Sequence, residues 1–150
     1  MSKAFSAQQD LFASAVSSVA VDTTFATARR IALDGGSWVE VVPGWMSGSR
    51  ILLERLATSV PWQQHDRRLF EQTFREPRMT AEYRSLRNVP DQALTDAVSV
   101  LSQHYGVIYD SLWLNLYRDG RDSTGWHRDR FSYSRALKPV VALHHLPASC

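Results

Sequence analysis

The chain has a single cysteine, Cys150, at the end of its 150 residues. A disulfide framework and a multi-thiolate metal site each need more than one cysteine, so neither can be built within this sequence. Long apolar runs are also absent, because no stretch approaches the ~18–20 apolar residues that a membrane span needs. The first twenty-two residues interrupt their apolar positions with Ser, Gln and Asp, which argues against a secretory signal. The sequence therefore predicts a cytoplasmic protein with no membrane partner.

Neither sign of charge is in large excess, since 17 Lys and Arg stand against 15 Asp and Glu. Such a balance permits an anionic partner without requiring one. Between residues 65 and 88, however, arginines alternate with aromatic residues, namely Arg67, Arg68, Arg75, Arg78, Arg84 and Arg87 with Phe70, Phe74 and Tyr83. Arginine beside an aromatic ring suits phosphate and base contacts. A solvated amphipathic face whose aromatic residues belong to the core has the same pattern, so both interpretations stay open here.

Length and composition predict one folded domain. A chain of this length buries about 68–70% of the surface that the unfolded chain exposes, and its hydrophobic content is 44%. Residues 1–30 begin with a stretch rich in Ser and Ala and are expected to be a flexible leader. Residues 31–150 are expected to form the domain.

Hydrophobic periodicity predicts a mixture of helices and strands. Strand-like runs occupy residues 37–45, 107–117 and 138–146. Helical spacing of apolar residues occupies residues 49–60 and 91–105. Residues 67–76 also have helical spacing but no decisive pattern, and a loop is predicted after Pro77.

Residues 115–129 read Asn-Leu-Tyr-Arg-Asp-Gly-Arg-Asp-Ser-Thr-Gly-Trp-His-Arg-Asp. On an extended strand residues two apart share a face, so His127 and Asp129 can present an imidazole and a carboxylate to one point. That pair supplies two of the three protein ligands in the facial triad of non-haem Fe(II) oxygenases, and zinc would accept the same pair. Asn115 and Tyr117 are also two apart, and their amide and phenol suit a carboxylate-bearing co-substrate.

The order N-x-Y, polar turn, G-W-H-x-D in residues 115–129 resembles the core of the AlkB-like 2-oxoglutarate and Fe(II)-dependent dioxygenases. The stretch PRMTAEYR at residues 77–84 is similar to the nucleotide-recognition region of that family, and the resemblance covers about residues 38–131. It implies an α+β fold that contains the N-terminal part of a double-stranded β-helix, or jelly-roll, with flanking helices.

The resemblance also implies roles for individual residues. His127 and Asp129 would be iron ligands, and Asn115 and Tyr117 would hydrogen-bond 2-oxoglutarate. The residues implied near the nucleic-acid-binding lip are Arg78, Tyr83 and Arg84. The implied reaction uses dioxygen to hydroxylate an N-alkyl group on a base of alkylated DNA or RNA, and it releases an aldehyde, succinate and carbon dioxide.

The chain departs from the family pattern after Asp129. The family barrel continues to a second histidine ligand and an arginine pair, whereas residues 130–150 offer His144 and His145 and no arginine after Arg135. We therefore expect a truncated chain with an incomplete barrel, in which His144 or His145 is the remaining candidate for a third ligand. Two alternatives stay open. One is a catalytically inactive nucleic-acid-binding remnant, and the other is a small zinc-binding structural protein that uses the same histidines and aspartate.

Overall fold

A computed structural model describes residues 18–69, 71–126 and 142–145 of the chain. Contacts divide the chain into two units, of which the first runs to Arg55 and includes His145. The second unit runs from Leu56 to His144.

Four short strands belong to the first unit. They are β1 (Ala20–Val21), β2 (Arg29–Ala32), β3 (Trp38–Val41) and β4 (Met46–Ser47). β1 pairs antiparallel with β4, and β2 pairs antiparallel with β3 across the 3-10 turn Asp34–Gly36. β3 confirms the strand predicted within residues 37–45. β1 and the start of β2 lie in the segment predicted as a leader, and the proposed domain boundary at residue 30 stays a prediction.

The first unit buries Phe25, Trp45, Met46 and Leu52. The rings of Phe25 and Trp45 lie 6.1 Å apart between centroids. Gly48 lies against the chain near Ser18 with a φ of 68°, and a Cβ there would come 2.5 Å from the Ser18 carbonyl oxygen. This close approach explains why the position after β4 is a glycine.

Helix α1 (Ser49–Ser59) confirms the helix predicted for residues 49–60, and the unit boundary falls within it. The backbone N–H of Leu52 donates to the carbonyl oxygen of Gly48 at 3.1 Å. Leu52 and Leu56 lie four residues apart on one helical face, and both are buried.

The second unit contains the remaining elements. They are β5 (Asp66–Leu69), β6 (Gln72–Arg75), β7 (Met79–Tyr83), a 3-10 turn (Leu86–Asn88), α2 (Gln92–Tyr105) and β8 (Leu112–Leu116). β5 and β6 form a hairpin, and β7 pairs antiparallel with β8. Gln63 forms an isolated antiparallel bridge to Thr80 of β7. This bridge lies on the edge of β7 that does not pair with β8.

One segment of this unit was left undecided by its sequence, and one prediction was wrong. The undecided segment after residue 66 contributes to β5 and β6, whose antiparallel backbone pairing decides the structure despite the helical spacing of the apolar residues. The loop predicted after Pro77 is strand β7, because its partner β8 supplies a full ladder from Met79 opposite Leu116 to Tyr83 opposite Leu112. Neither pairing is visible in the local pattern of the sequence.

Helix α2 and strand β8 confirm the corresponding predictions. The Asp91 carboxylate caps the helix by accepting the N–H of Ala93 at 2.9 Å. Gly106 ends it in the left-handed conformation, with a φ of 64°. Ala93 and Ala97, four residues apart, are its buried residues.

The architecture is a mixture of helices and antiparallel strands, which confirms the α+β class. In residues 18–69, 71–126 and 142–145 the strands form four two-stranded antiparallel sheets and no closed barrel. In these ranges neither helix combines the length and the apolar character needed to cross a membrane.

Candidate functional site

Strand β8 carries the candidate co-substrate residues on one face. Its leucines are half-buried, whereas Trp113 and Asn115 alternate with them and are exposed. Tyr117 continues the same alternation just past the strand and is 43% exposed. Among the described residues, the side chains of Asn115 and Tyr117 make no hydrogen bond, so the amide and the phenol are available to a ligand.

Strand β7 brings residues 77–84 next to this face. Asn115 lies opposite Thr80, and Trp113 lies opposite Glu82. Thr80 is buried, and its backbone exchanges two hydrogen bonds with Gln63, at 2.8 and 3.0 Å. Two motifs that are about thirty residues apart in the sequence are therefore neighbours on one sheet.

An open cavity of about 280 Å³ lies beside Trp113. Its polar lining includes Gln63, His65, Thr80 and Glu82. Because Glu82 and Trp113 are cross-strand partners, a carboxylate and an indole ring border the same opening.

The turn that follows Tyr117 is closed by an ion pair between Arg118 and Asp122. The guanidinium donates through Nε to Oδ2 at 2.8 Å and through Nη2 to Oδ1 at 2.9 Å. The backbone N–H of Arg118 also donates to Oδ2, at 2.8 Å. These hydrogen bonds lower the pKa of Asp122 to about 2, so its carboxylate is charged at neutral pH.

A second ion pair, between Asp119 and Arg121, lies on the same turn. The Arg121 Nη2 donates to Asp119 Oδ2 at 2.8 Å, and the Arg121 side chain is 91% exposed. Hydrogen bonds from Arg121 lower the pKa of Asp119. The charges of the two pairs cancel, so the turn carries no net charge.

Two hydrogen bonds tie the turn to the residues that precede β7. The backbone N–H of Ser123 donates to the carbonyl oxygen of Pro77 at 2.7 Å. Nη1 of Arg78 donates to Oγ1 of Thr124 at 2.5 Å. The same guanidinium lies 3.6 Å from a carboxylate oxygen of Glu76, and the Arg78 side chain is mostly buried.

The two other candidate lip residues lie near the end of β7. Arg84 is largely exposed and pairs with Glu82 at 3.1 Å. The hydroxyl of Tyr83 is buried and has no hydrogen-bond partner among the described residues. Burial raises the pKa of Tyr83, so the phenol stays protonated at neutral pH.

The candidate metal ligands are not brought together in the part of the chain that the structure describes. His127 and Asp129 lie outside the described residues. His144 and His145 lie within them and are exposed. Within that part, no group of three His, Cys, Asp or Glu side chains is placed to hold a metal ion. The assignment of all four residues stays a prediction.

Comparison with known proteins finds relatives that share one name. The chain is 32% identical to alpha-ketoglutarate-dependent dioxygenase alkB homolog 3 of Rattus norvegicus over 121 residues, which is 72% of this chain and 41% of the relative. It is 30% identical to the protein of the same name from Homo sapiens over 108 residues, 63% of this chain and 38% of the relative. The chain thus spans about two fifths of the length of the curated relatives it matches. No family model matches it.

Proposed function

Because the chain belongs to the AlkB-like family of 2-oxoglutarate-dependent dioxygenases, we propose that it oxidatively dealkylates alkylated bases in DNA or RNA, using Fe(II) and dioxygen. The observation that carries this proposal is the shared face of β8. Asn115 and Tyr117 lie two apart on it, exposed and without an internal hydrogen bond among the described residues. They immediately precede the turn that leads to His127.

The residues present suit the two groups that the family uses. His127 supplies a neutral imidazole and Asp129 a hard carboxylate, which is a donor set that Fe(II) accepts. Asn115 and Tyr117 supply an amide N–H and a phenolic O–H, both donors for a carboxylate of 2-oxoglutarate. His144 or His145 is the remaining candidate for a third ligand. In this proposal the described strands are the N-terminal part of a jelly-roll.

The bound Fe(II) and 2-oxoglutarate supply dioxygen activation, coupled to conversion of the co-substrate to succinate and carbon dioxide and to hydroxylation of the N-alkyl carbon. In the proposal, the chain's own residues orient the reactants. Asn115 and Tyr117 fix one carboxylate of 2-oxoglutarate by donating hydrogen bonds. Trp113 lies two residues before Asn115 on the same face of β8 and offers an exposed ring beside the cavity.

Charge and exposure around β5–β7 support a nucleic-acid partner. Arg67 lies directly opposite Phe74 on the β5–β6 hairpin, and both are exposed. An arginine beside an exposed ring suits a phosphate and a stacked base. Arg84 is an exposed candidate for phosphate contact, and Tyr83 lines the cavity. Arg78 is also proposed as a contact, because its hydrogen bond to Thr124 and its ion pair with Glu76 leave guanidinium donors for a phosphate.

The test is Fe(II)-dependent formation of succinate by the 150-residue chain in the presence of an oligonucleotide with an N-methylated base. We expect succinate and formaldehyde in equal amounts, and neither with the His127→Ala variant. An unmethylated oligonucleotide serves as the matched substrate control. Oligonucleotide binding without Fe(II)-dependent succinate would favour a nucleic-acid-binding chain that has no turnover.

A further inference from the structure

We infer that Arg118 and Asp122 are positioning residues for the proposed site. Their ion pair fixes the shape of the turn at residues 118–124. The turn joins the strand that carries Asn115 and Tyr117 to the segment that carries the candidate iron ligands. The inference rests on the proposed function, because it concerns how the same site is assembled.

The first step is the closure of the turn. Three donors of Arg118, its backbone N–H, Nε and Nη2, converge on the two carboxylate oxygens of Asp122. The backbone N–H of Asp122 donates to the carbonyl oxygen of Asp119 at 3.1 Å. The Asp122 side chain is only 7% exposed, so water competes weakly for these bonds. A two-pronged arginine–carboxylate pair defines an orientation that a single-point contact does not.

The second step is the attachment of the closed turn to β7. The register that places Met79 opposite Leu116 puts Pro77 and Arg78 beside the end of β8. From there Pro77 accepts the N–H of Ser123, and Arg78 donates to Thr124. Because the turn is held both internally and to a neighbouring strand, it cannot pivot freely about the end of β8.

The proposed ligands follow the turn at residues 118–124 closely in the sequence. Only two residues, Gly125 and Trp126, separate Thr124 from His127 in the sequence. Ligands must be placed within a few tenths of an ångström, so a loosened turn spreads their positions and weakens metal binding.

The pair Asp119–Arg121 provides a matched control on the same turn. It has a contact of the same length, 2.8 Å, between the same chemical groups. Its side chains are more exposed, and neither Asp119 nor Arg121 contributes to the two bonds that reach β7. Loss of this pair reports the general effect of removing an ion pair from the turn.

The experiment compares Asp122→Asn, Arg118→Lys and Asp119→Asn in the 150-residue chain. Hydrogen exchange of the Ser123 amide reports the attachment to Pro77 without any metal. Visible absorption of the anaerobic complex with Fe(II) and 2-oxoglutarate reports metal affinity. We expect Asp122→Asn and Arg118→Lys to lose protection at Ser123 and to bind Fe(II) roughly tenfold to a hundredfold more weakly. Asp119→Asn should match the parent chain in both measurements.

Two results would overturn the inference while leaving the proposed function in place. One is Ser123 protection that persists in Asp122→Asn, and the other is lost protection with unchanged Fe(II) affinity. A parent chain that binds no Fe(II) would overturn the proposed function and the positioning role together. Thermal unfolding of each variant, monitored by circular dichroism, distinguishes a local loss of protection at Ser123 from unfolding of the whole chain.

Discussion

At the scale of single residues, the Asp122 carboxyl has the pKa that its surroundings shift most among the described residues. Hydrogen bonds from Arg118 lower its pKa from the ordinary 3.8 to about 2. A carboxyl whose pKa is lower in the folded state stabilises the fold fully above pH 3.8, and this contribution is lost as the pH falls towards 2. We predict that the Asp122 carboxyl carbon titrates near pH 2 by NMR.

The control for that titration is Arg118→Gln. Without the guanidinium, the Asp122 midpoint should rise towards 3.8. A midpoint near 3.8 in the parent chain would contradict the ion pair.

Tyr117 allows a direct test of one proposed hydrogen bond. The variant Tyr117→Phe removes only the hydroxyl, so 2-oxoglutarate binding should weaken by about 0.5–1.5 kcal/mol. Anaerobic calorimetry in the presence of Fe(II) measures the difference. Tyr109→Phe is the matched control, because the Tyr109 hydroxyl is buried with no partner among the described residues. Equal affinities for the two variants would remove Tyr117 from the site.

The sequence could predict which candidate residues share a face of β8, and their role in a site stays a prediction. A spacing of two places Asn115 and Tyr117 on one face of a strand, and the exposure pattern of β8 agrees with that geometry. Arg118 and Asp122 were missed, because their contact depends on how the backbone turns between them. The same holds for the bond from Arg78 to Thr124, which spans 46 positions.

At the scale of elements, Gly48 controls the junction between β4 and α1. Gly48→Ala introduces a Cβ at a φ of 68° and at 2.5 Å from a backbone oxygen, and we expect a loss of about 1–3 kcal/mol or more in unfolding free energy. Gly44→Ala is the matched control, since Gly44 has a φ of 71° and no neighbouring atom within 4 Å. Urea unfolding measures the loss of unfolding free energy in both variants, and the difference between the two losses is the steric cost of the contact with Ser18. Equal losses would show that Ser18 does not constrain this position.

The N-terminus of α2 offers a second test at this scale. The Asp91 side chain accepts the Ala93 N–H, and Asp91→Ala should cost about 1 kcal/mol in unfolding free energy. Asp91→Asn keeps a capping oxygen and should lose much less. Thermal unfolding of the two variants measures the contrast, and an undiminished Asp91→Ala stability would argue against the cap.

The elements differ in how far the sequence could predict them. α1, α2, β3 and β8 were predicted because their apolar periodicity is local. β1 was missed because it has two residues and depends on β4, whose Ser47 pairs with Ala20. β7 was predicted as a loop because its pairing with β8 joins residues such as Met79 and Leu116, which are far apart in sequence.

At the scale of the whole molecule, the chain is similar to AlkB-like dioxygenases but matches only part of their length. The curated relatives are matched over about two fifths of their own length, and the N-x-Y strand with its turn lies in the second unit. Whether this chain binds Fe(II) and 2-oxoglutarate is therefore the central question about its function.

Anaerobic calorimetry of Fe(II) and then 2-oxoglutarate, titrated into the 150-residue chain, tests that question most directly. We expect the parent chain to bind Fe(II), 2-oxoglutarate to bind only after the metal, and His127→Ala or Asp129→Ala to abolish Fe(II) binding. A calorimetric trace that neither substitution changes would contradict the account.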